Sequence, residues 1–169
     1  MRTAQERRAL TLPQQHLFLM RSRQVVAGAG QLTPTELTWR FDARPGPLSR
    51  TYAVRLRYRI GSSPDVFVER PELRSLSGGR CPPHLYHDPD RLCLYMPSTG
   101  EWDPMKRLDE TIVPWTYLWL EYFEDWLAMD VWRGGGNHPD PDAPCIGSRA
   151  DRRRMLSRQR STRSSSTLG

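Results

Sequence analysis

Alternation of apolar and charged positions is the clearest signal along the chain. Tyr52, Val54, Leu56, Tyr58 and Ile60 fall on one side of an extended segment, with Arg55, Arg57 and Arg59 on the other. A period of two with one apolar and one charged face predicts a strand half-covered by a core. ELTWRFDA, residues 36–43, repeats the pattern, with Leu37, Trp39 and Phe41 between Thr38, Arg40 and Asp42. RPGPLSR supplies the turn between the two. After Gly61-Ser62-Ser63-Pro64, a third strand follows in DVFVER. The set predicts a three- or four-stranded antiparallel meander.

The period changes to that of a helix on either side of the meander. Thr11 and Pro13 open a helix expected over about 12–26, with Leu17 and Met20 at helical spacing, and GAGQ stops it. Toward the other end, Trp115, Leu118, Trp119, Tyr122 and Trp126 form one stripe, and Pro114 suits a first turn. That predicts a helix over about 113–129 whose tryptophans pack a core. Between Pro71 and Pro104 no period survives, apart from a short extended run at RLCLYM. Long irregular segments inside a compact domain are usually functional or disordered, and the aromatics and cysteines here argue against disorder. The fold class is α+β: N-terminal helix, antiparallel β-meander, extended segment, C-terminal crossing helix.

Charge changes the picture at one end only. The 169 residues carry a net charge of +6. From Ser148 onward there are seven arginines and one acid, Asp151, which leaves 18 basic and 18 acidic residues in the rest. The basic character therefore belongs to an Arg/Ser-rich tail, expected to be disordered over 140–169, and not to the domain at 1–139. Such a tail binds polyanions without reading sequence, so no specific nucleic-acid partner is expected. No export signal or membrane span is visible, since TIVPWTYLWLEYF is broken by Pro114 and Glu121. Three cysteines in such a chain predict reduced thiols and a cytoplasmic location. Lys106 is the single lysine against 24 arginines. Coding bias accounts for that; avoidance of self-modification is the alternative.

Cys93, between two leucines in RLCLYMPSTGEWDP, admits three readings. As a small hydrophobe it belongs in the core. As a metal ligand it closes Cys81-x2-His84-x2-His87-x5-Cys93, four zinc-type donors within thirteen residues, although Pro82 and Pro83 restrict the loop. As a nucleophile it needs exposure, and alternation provides this: with Leu92 and Leu94 inward, Cys93 faces out. A papain-like hydrolase fits poorly, because only His16 and His138 remain as distant histidines.

The nucleophile reading meets a family pattern. His84-Leu85-Tyr86, then Leu92-Cys93-Leu94-Tyr95-Met96, then Trp102-Asp103-Pro104 resembles the ubiquitin-conjugating enzyme (UBC) family. There a His-Pro-Asn motif precedes the active-site cysteine and a Trp-Ser-Pro follows it. Within that family PHLYHDPDRLCLYMPSTGEWDP, TIVPWTYLWLEYFEDWLA and WRGGGNHP are similar to the bacterial branch found beside cGAS/DncV-like nucleotidyltransferases in CBASS antiphage operons. The likeness covers most of residues 10–139 and is most specific over 83–139.

The resemblance implies a UBC-like fold and a Cys93 thioester with the C-terminus of a protein modifier, passed on to an amine. It makes a cGAS/DncV-like nucleotidyltransferase the modifier, with or without a separate activating (adenylating) protein, and requires no cofactor or metal. His84, Tyr86, His87, Asp88, Trp102 and Asp103 become supporting candidates. Leu85 and Tyr86 replace the Pro and Asn of the motif, so no residue inherits the oxyanion-stabilising role of that asparagine by position. Arg91, His84 and His87 are local charges expected to ease ionisation of the thiol. Two other functions stay open: a non-catalytic UBC-fold scaffold for the nucleotidyltransferase, and a small zinc-binding protein.

Overall fold

The computed structural model describes residues 8–25, 27–87 and 89–135. The 140–169 tail lies outside the described residues. Helix α1 (Leu12–Arg21) is followed by four antiparallel strands, β1 (Ala29–Leu32), β2 (Glu36–Ala43), β3 (Tyr52–Arg59) and β4 (Asp65–Arg70). Then come a one-turn helix α2 (Leu73–Leu76), a small hairpin of β5 (Leu85–Tyr86) and β6 (Arg91–Leu92), and the long helix α3 (Ile112–Met129). The main sheet runs in the order β1-β2-β3-β4. This is the α+β order expected from the sequence. Among the described residues no helix is long and apolar enough to cross a membrane.

Local chemistry explains the boundaries. A capping box starts α1: Thr11 Oγ1 accepts from the Gln14 N–H, and Gln14 Oε1 accepts from the Thr11 N–H at 2.9 Å. The helix ends at Arg21, short of the expected 26, because Ser22 turns extended and a single 3-10 turn then carries Val25 into the core. Its buried face is Leu12, Gln15 and Leu19, while Leu17 and Met20 are exposed. Gln15 is fully buried, and its amide is satisfied: Nε2 donates to the Lys106 carbonyl at 2.8 Å and Oε1 accepts from the Leu108 N–H at 2.9 Å. That pair of bonds fastens α1 to the loop leading into α3.

The glycines read as a helix stop belong to the approach to β1 and to β1 itself. A Cβ at Gly28 or Gly30 would come within 2.2 or 2.5 Å of the Trp39 indole, so only glycine lets this edge pass over the ring. β2 and β3 pair with Leu37 opposite Tyr58, Trp39 opposite Leu56 and Phe41 opposite Val54, which places every alternating apolar residue on one face. Ile60, expected on that face, lies past the end of β3 and is exposed.

Helix α3 covers this face, rotated from the expected stripe. Ile112, Val113, Thr116, Trp119, Leu120, Phe123 and Trp126 are its buried residues, whereas Leu118 is 43% exposed and Trp115 and Tyr122 are half-buried. The tryptophan spacing marks the edge of the buried face and not its centre. Near the end of α3, Glu124 Oε1 accepts from the Arg50 N–H at 3.0 Å and from the Tyr52 hydroxyl at 2.9 Å, tying helix to sheet.

Two stability results follow. Phe123→Ala lowers the unfolding free energy in urea by about 3–5 kcal/mol, while Leu118→Ala stays within about 0.5 kcal/mol; equal losses would mean that α3 faces the sheet along the tryptophan stripe. Burial opposes ionisation of Glu124, but Ser49, the Arg50 N–H and the Tyr52 hydroxyl hold its carboxyl below the ordinary range. Its contribution is therefore present at neutral pH and lost as pH falls through the acid range. Glu124→Gln flattens the acid limb of the melting-temperature profile, and an unchanged limb contradicts this.

Candidate active site around Cys93

The β5–β6 hairpin sets the direction of every side chain near Cys93. Leu85 pairs with Leu92, and both are buried. Their neighbours Tyr86 and Arg91 therefore project from the opposite face. The Cys93 N–H donates to the His84 carbonyl at 2.9 Å, which extends the ladder by one rung and fixes the cysteine backbone. Cys93 is a free thiol, half-buried.

The backbone of His84 links the cysteine strand to α3. It sits in the left-handed region at φ 52°, uncommon for a residue with a side chain. In that conformation its carbonyl also accepts from Trp119 Nε1–H at 3.0 Å, so one oxygen joins the cysteine strand to α3. The imidazole is buried and stacks on Trp132, with ring centroids 5.2 Å apart and 25° between planes.

Three influences compete at the thiol. Burial, the largest influence, pushes the Cys93 thiol above its ordinary range; the neighbouring Tyr86 hydroxyl and the Arg91 charge pull it down without cancelling that effect. Tyr86 is itself pushed up to about 12, mainly by burial and then by Cys93, so near neutrality it is a proton donor and not a base. Arg91 lies over the Tyr86 ring, 4.6 Å from its centroid, and donates to Asp65 of β4 at 2.9 Å. The expected easing of ionisation thus has one source among the charges proposed, Arg91, and burial outweighs it.

The remaining candidates sit as follows. His87 Nδ1 lies 2.9 Å from Arg74 and 3.3 Å from Asp90. Burial works against the Asp90 carboxylate, yet the bidentate Arg74 and His87 together hold it below the usual range. Asp88 is outside the described residues. Trp102 is buried and packs edge-on against Tyr58, with centroids 5.4 Å apart. Asp103 accepts from the Met105 N–H at 2.8 Å and shapes the turn after Trp102. The Lys106 ammonium donates to the Gly100 and Glu101 carbonyls at 3.0 and 2.6 Å.

The zinc donor set does not assemble. Cys81 is engaged in a disulfide, contrary to the expectation of three reduced thiols, and its sulfur is not available as a thiolate ligand. Among the described residues no three His, Cys, Asp or Glu side chains group to hold a metal.

A cleft of about 180 Å³ opens beside Cys93, which the sequence reading did not find. One wall is the outer edge of α3, with Trp115, Leu118 and Tyr122; Trp132 and the Gly134-Gly135 backbone form another. Gly134 is required there, since a Cβ would lie 2.6 Å from the Trp132 indole nitrogen and 2.7 Å from the Tyr122 ring. The available signal was the tryptophan stripe itself, too wide to be buried whole against one sheet.

A family model described as type II CBASS E2 protein matches residues 16–139, from within α1 through the Cys93 hairpin and α3 to the chain beyond it. No curated protein matches the chain.

The thiol environment has a direct readout. Alkylation of Cys93 by iodoacetamide rises with pH through a midpoint above that of a free cysteine peptide, because the neutral thiol is favoured in the fold. Tyr86→Phe removes a donor to the thiolate and moves the midpoint higher, slowing alkylation at neutral pH several-fold. A midpoint unchanged or lowered by Tyr86→Phe contradicts the influence of Tyr86 on the thiol.

Proposed function

The chain belongs to the type II CBASS E2 family, and on that premise we propose that it is a conjugating enzyme of a CBASS antiphage system with Cys93 as its acyl carrier. The carrying observation is the Cys93 thiol itself: free, half-buried and lining a cleft, with the Tyr86 hydroxyl and the Arg91 charge both acting on it. In this reading the thiolate attacks the activated C-terminal carbonyl of a modifier, a carbon–sulfur bond forms and the activating group leaves. An amine then attacks the thioester, loses its proton, and the sulfur departs as thiolate.

Tyr86 serves both steps. A hydroxyl that stays protonated near neutrality stabilises sulfur whenever it carries negative charge, as attacking and as leaving group. Arg91 adds a positive charge held in place by Asp65. His84 fixes the nucleophile through its carbonyl. A tetrahedral intermediate also needs donors at its oxygen; Tyr86, third residue of the His84-Leu85-Tyr86 counterpart of His-Pro-Asn, is the nearest side-chain hydroxyl that the hairpin supplies. No cofactor enters this chemistry. The modifier in this reading is the cGAS/DncV-like nucleotidyltransferase, activated by an adenylating partner or supplied already activated.

The test is trapping with the purified nucleotidyltransferase, with and without an activating protein and ATP. Wild type gives an adduct released by reducing agent, Cys93→Lys gives one that persists, and Cys93→Ala gives none. Full phage protection by Cys93→Ala would establish the non-catalytic scaffold role in its place.

A further inference from the structure

The cleft that opens at Cys93 has its own specificity. We propose that it seats an apolar side chain, of leucine or phenylalanine size, from one of the last two residues of the acyl chain carried on Cys93. The proposal rests on the reading of Cys93 as the thioester site and adds what that site selects.

Occupancy follows from connectivity. Any acyl group on Cys93 has its terminal Cα two bonds from the sulfur, and the sulfur's residue lines the cleft. The last residues of the modifier must therefore lie in or along it, which makes the acyl chain the first occupant to consider. Size then limits what fits. At about 180 Å³ the space is smaller than the roughly 300 Å³ lower bound for pockets that hold drug-sized ligands. It is close to the ~150 Å³ apolar cavity that accommodates benzene. One branched or aromatic side chain fills it, and a Gly-Gly terminus leaves it empty.

Polar and apolar surface share the walls, and the apolar part is made by aromatic and leucine side chains grouped along α3 and at Trp132. Trp115, Leu118 and Tyr122 come from α3 residues that were spared burial against the sheet, and Leu118 is the most exposed of them. Trp132 is fixed on the far side by stacking on His84 and contacting Tyr122, with centroids 5.9 Å apart in the latter pair. These rings are held before any ligand arrives, so filling the space does not require ordering its walls. Gly134 and Gly135 contribute backbone N–H and C=O groups beside which an extended peptide can lie.

The experiment uses thioester exchange, which bypasses any activating partner. Full-length protein is mixed with synthetic peptide thioesters of a small thiol that end in Gly-Gly, Leu-Gly, Phe-Gly, Gly-Leu or Lys-Gly. The Cys93 thiolate attacks the carbonyl, the new carbon–sulfur bond forms, and the small thiol leaves as thiolate and takes up a proton. Loading is read by intact mass, and each rate is divided by that of the same peptide with N-acetylcysteine to remove intrinsic reactivity. The expected result is that at least one of the Leu or Phe peptides loads about tenfold or more faster than Gly-Gly. Leu118→Glu removes that advantage and gives a Lys-Gly peptide the lead, while Leu118→Ala, the variant less prone to disturb the fold, reduces the advantage without creating the new preference.

Equal normalised rates across the series, or a Leu and Phe advantage that survives both Leu118 variants, overturn the cleft's role and leave the thioester reading intact. Failure of every peptide to acylate Cys93 refutes the thioester reading, and this inference with it. Circular dichroism of both variants confirms that they are folded before the rates are compared.

Discussion

The carbonyl oxygen of His84 accepts two hydrogen bonds, one from the Cys93 N–H and one from the Trp119 indole. Everything at the site is referenced to that oxygen. The first bond sets the height of the cysteine on its short hairpin; the second sets the distance of the hairpin from α3. A two-residue ladder is too small to hold a position by itself. Anchoring it to a buried tryptophan transfers the rigidity of the helix–sheet core to the thiol. The left-handed backbone of His84 is what aims the oxygen at both donors. Strain of that kind, of order 1–3 kcal/mol, persists only where surrounding contacts over-determine it, and the Trp132 stack on the imidazole is one such contact.

Around this frame the electrostatics are balanced and not extreme. Burial keeps the sulfur protonated at rest, while Tyr86 and Arg91 provide stabilisation for the moments when it is charged. Arg91 is tied to Asp65, and Asp65 is also bridged by Arg57 of β3, so the charge that serves the thiol is tethered to the outer face of the main sheet. A thiol kept neutral in this way resists stray oxidation and alkylation near neutrality.

The sequence made some of this legible for plain physical reasons. β2 and β4 were found at their full lengths, and β3 to within a residue at each end, because a sheet with one wet face must alternate. The same rule turned Leu92 inward, whereas Leu94 is half-buried and lines the cleft together with Cys93. Alternation does not show which edge of a helix is buried, however, when both edges carry aromatics. Trp115, Leu118 and Tyr122 were grouped with the core and belong instead to the cleft. Gln15 left no apolar trace at all, being a buried polar group whose partners lie about ninety residues away. β1 was hidden because its glycines serve the Trp39 ring and not a turn. The bonds to the His84 carbonyl were not visible in the sequence. Backbone roles leave no mark on residue type.

A carrier of an activated acyl group has a lifetime problem: any amine of its own that can reach the bond will discharge it. These 169 residues contain one lysine, and its ammonium is spent on the carbonyl oxygens of Gly100 and Glu101. An amine held this way must give up both hydrogen bonds and its proton before it can act as a nucleophile. Arginine, which supplies the rest of the cationic surface, does not deprotonate in proteins. On the proposed reading of Cys93, lysine chemistry within the chain then contributes little to loss of an acyl group, and the α-amine of Met1 is the remaining amine to set against water and the acceptor.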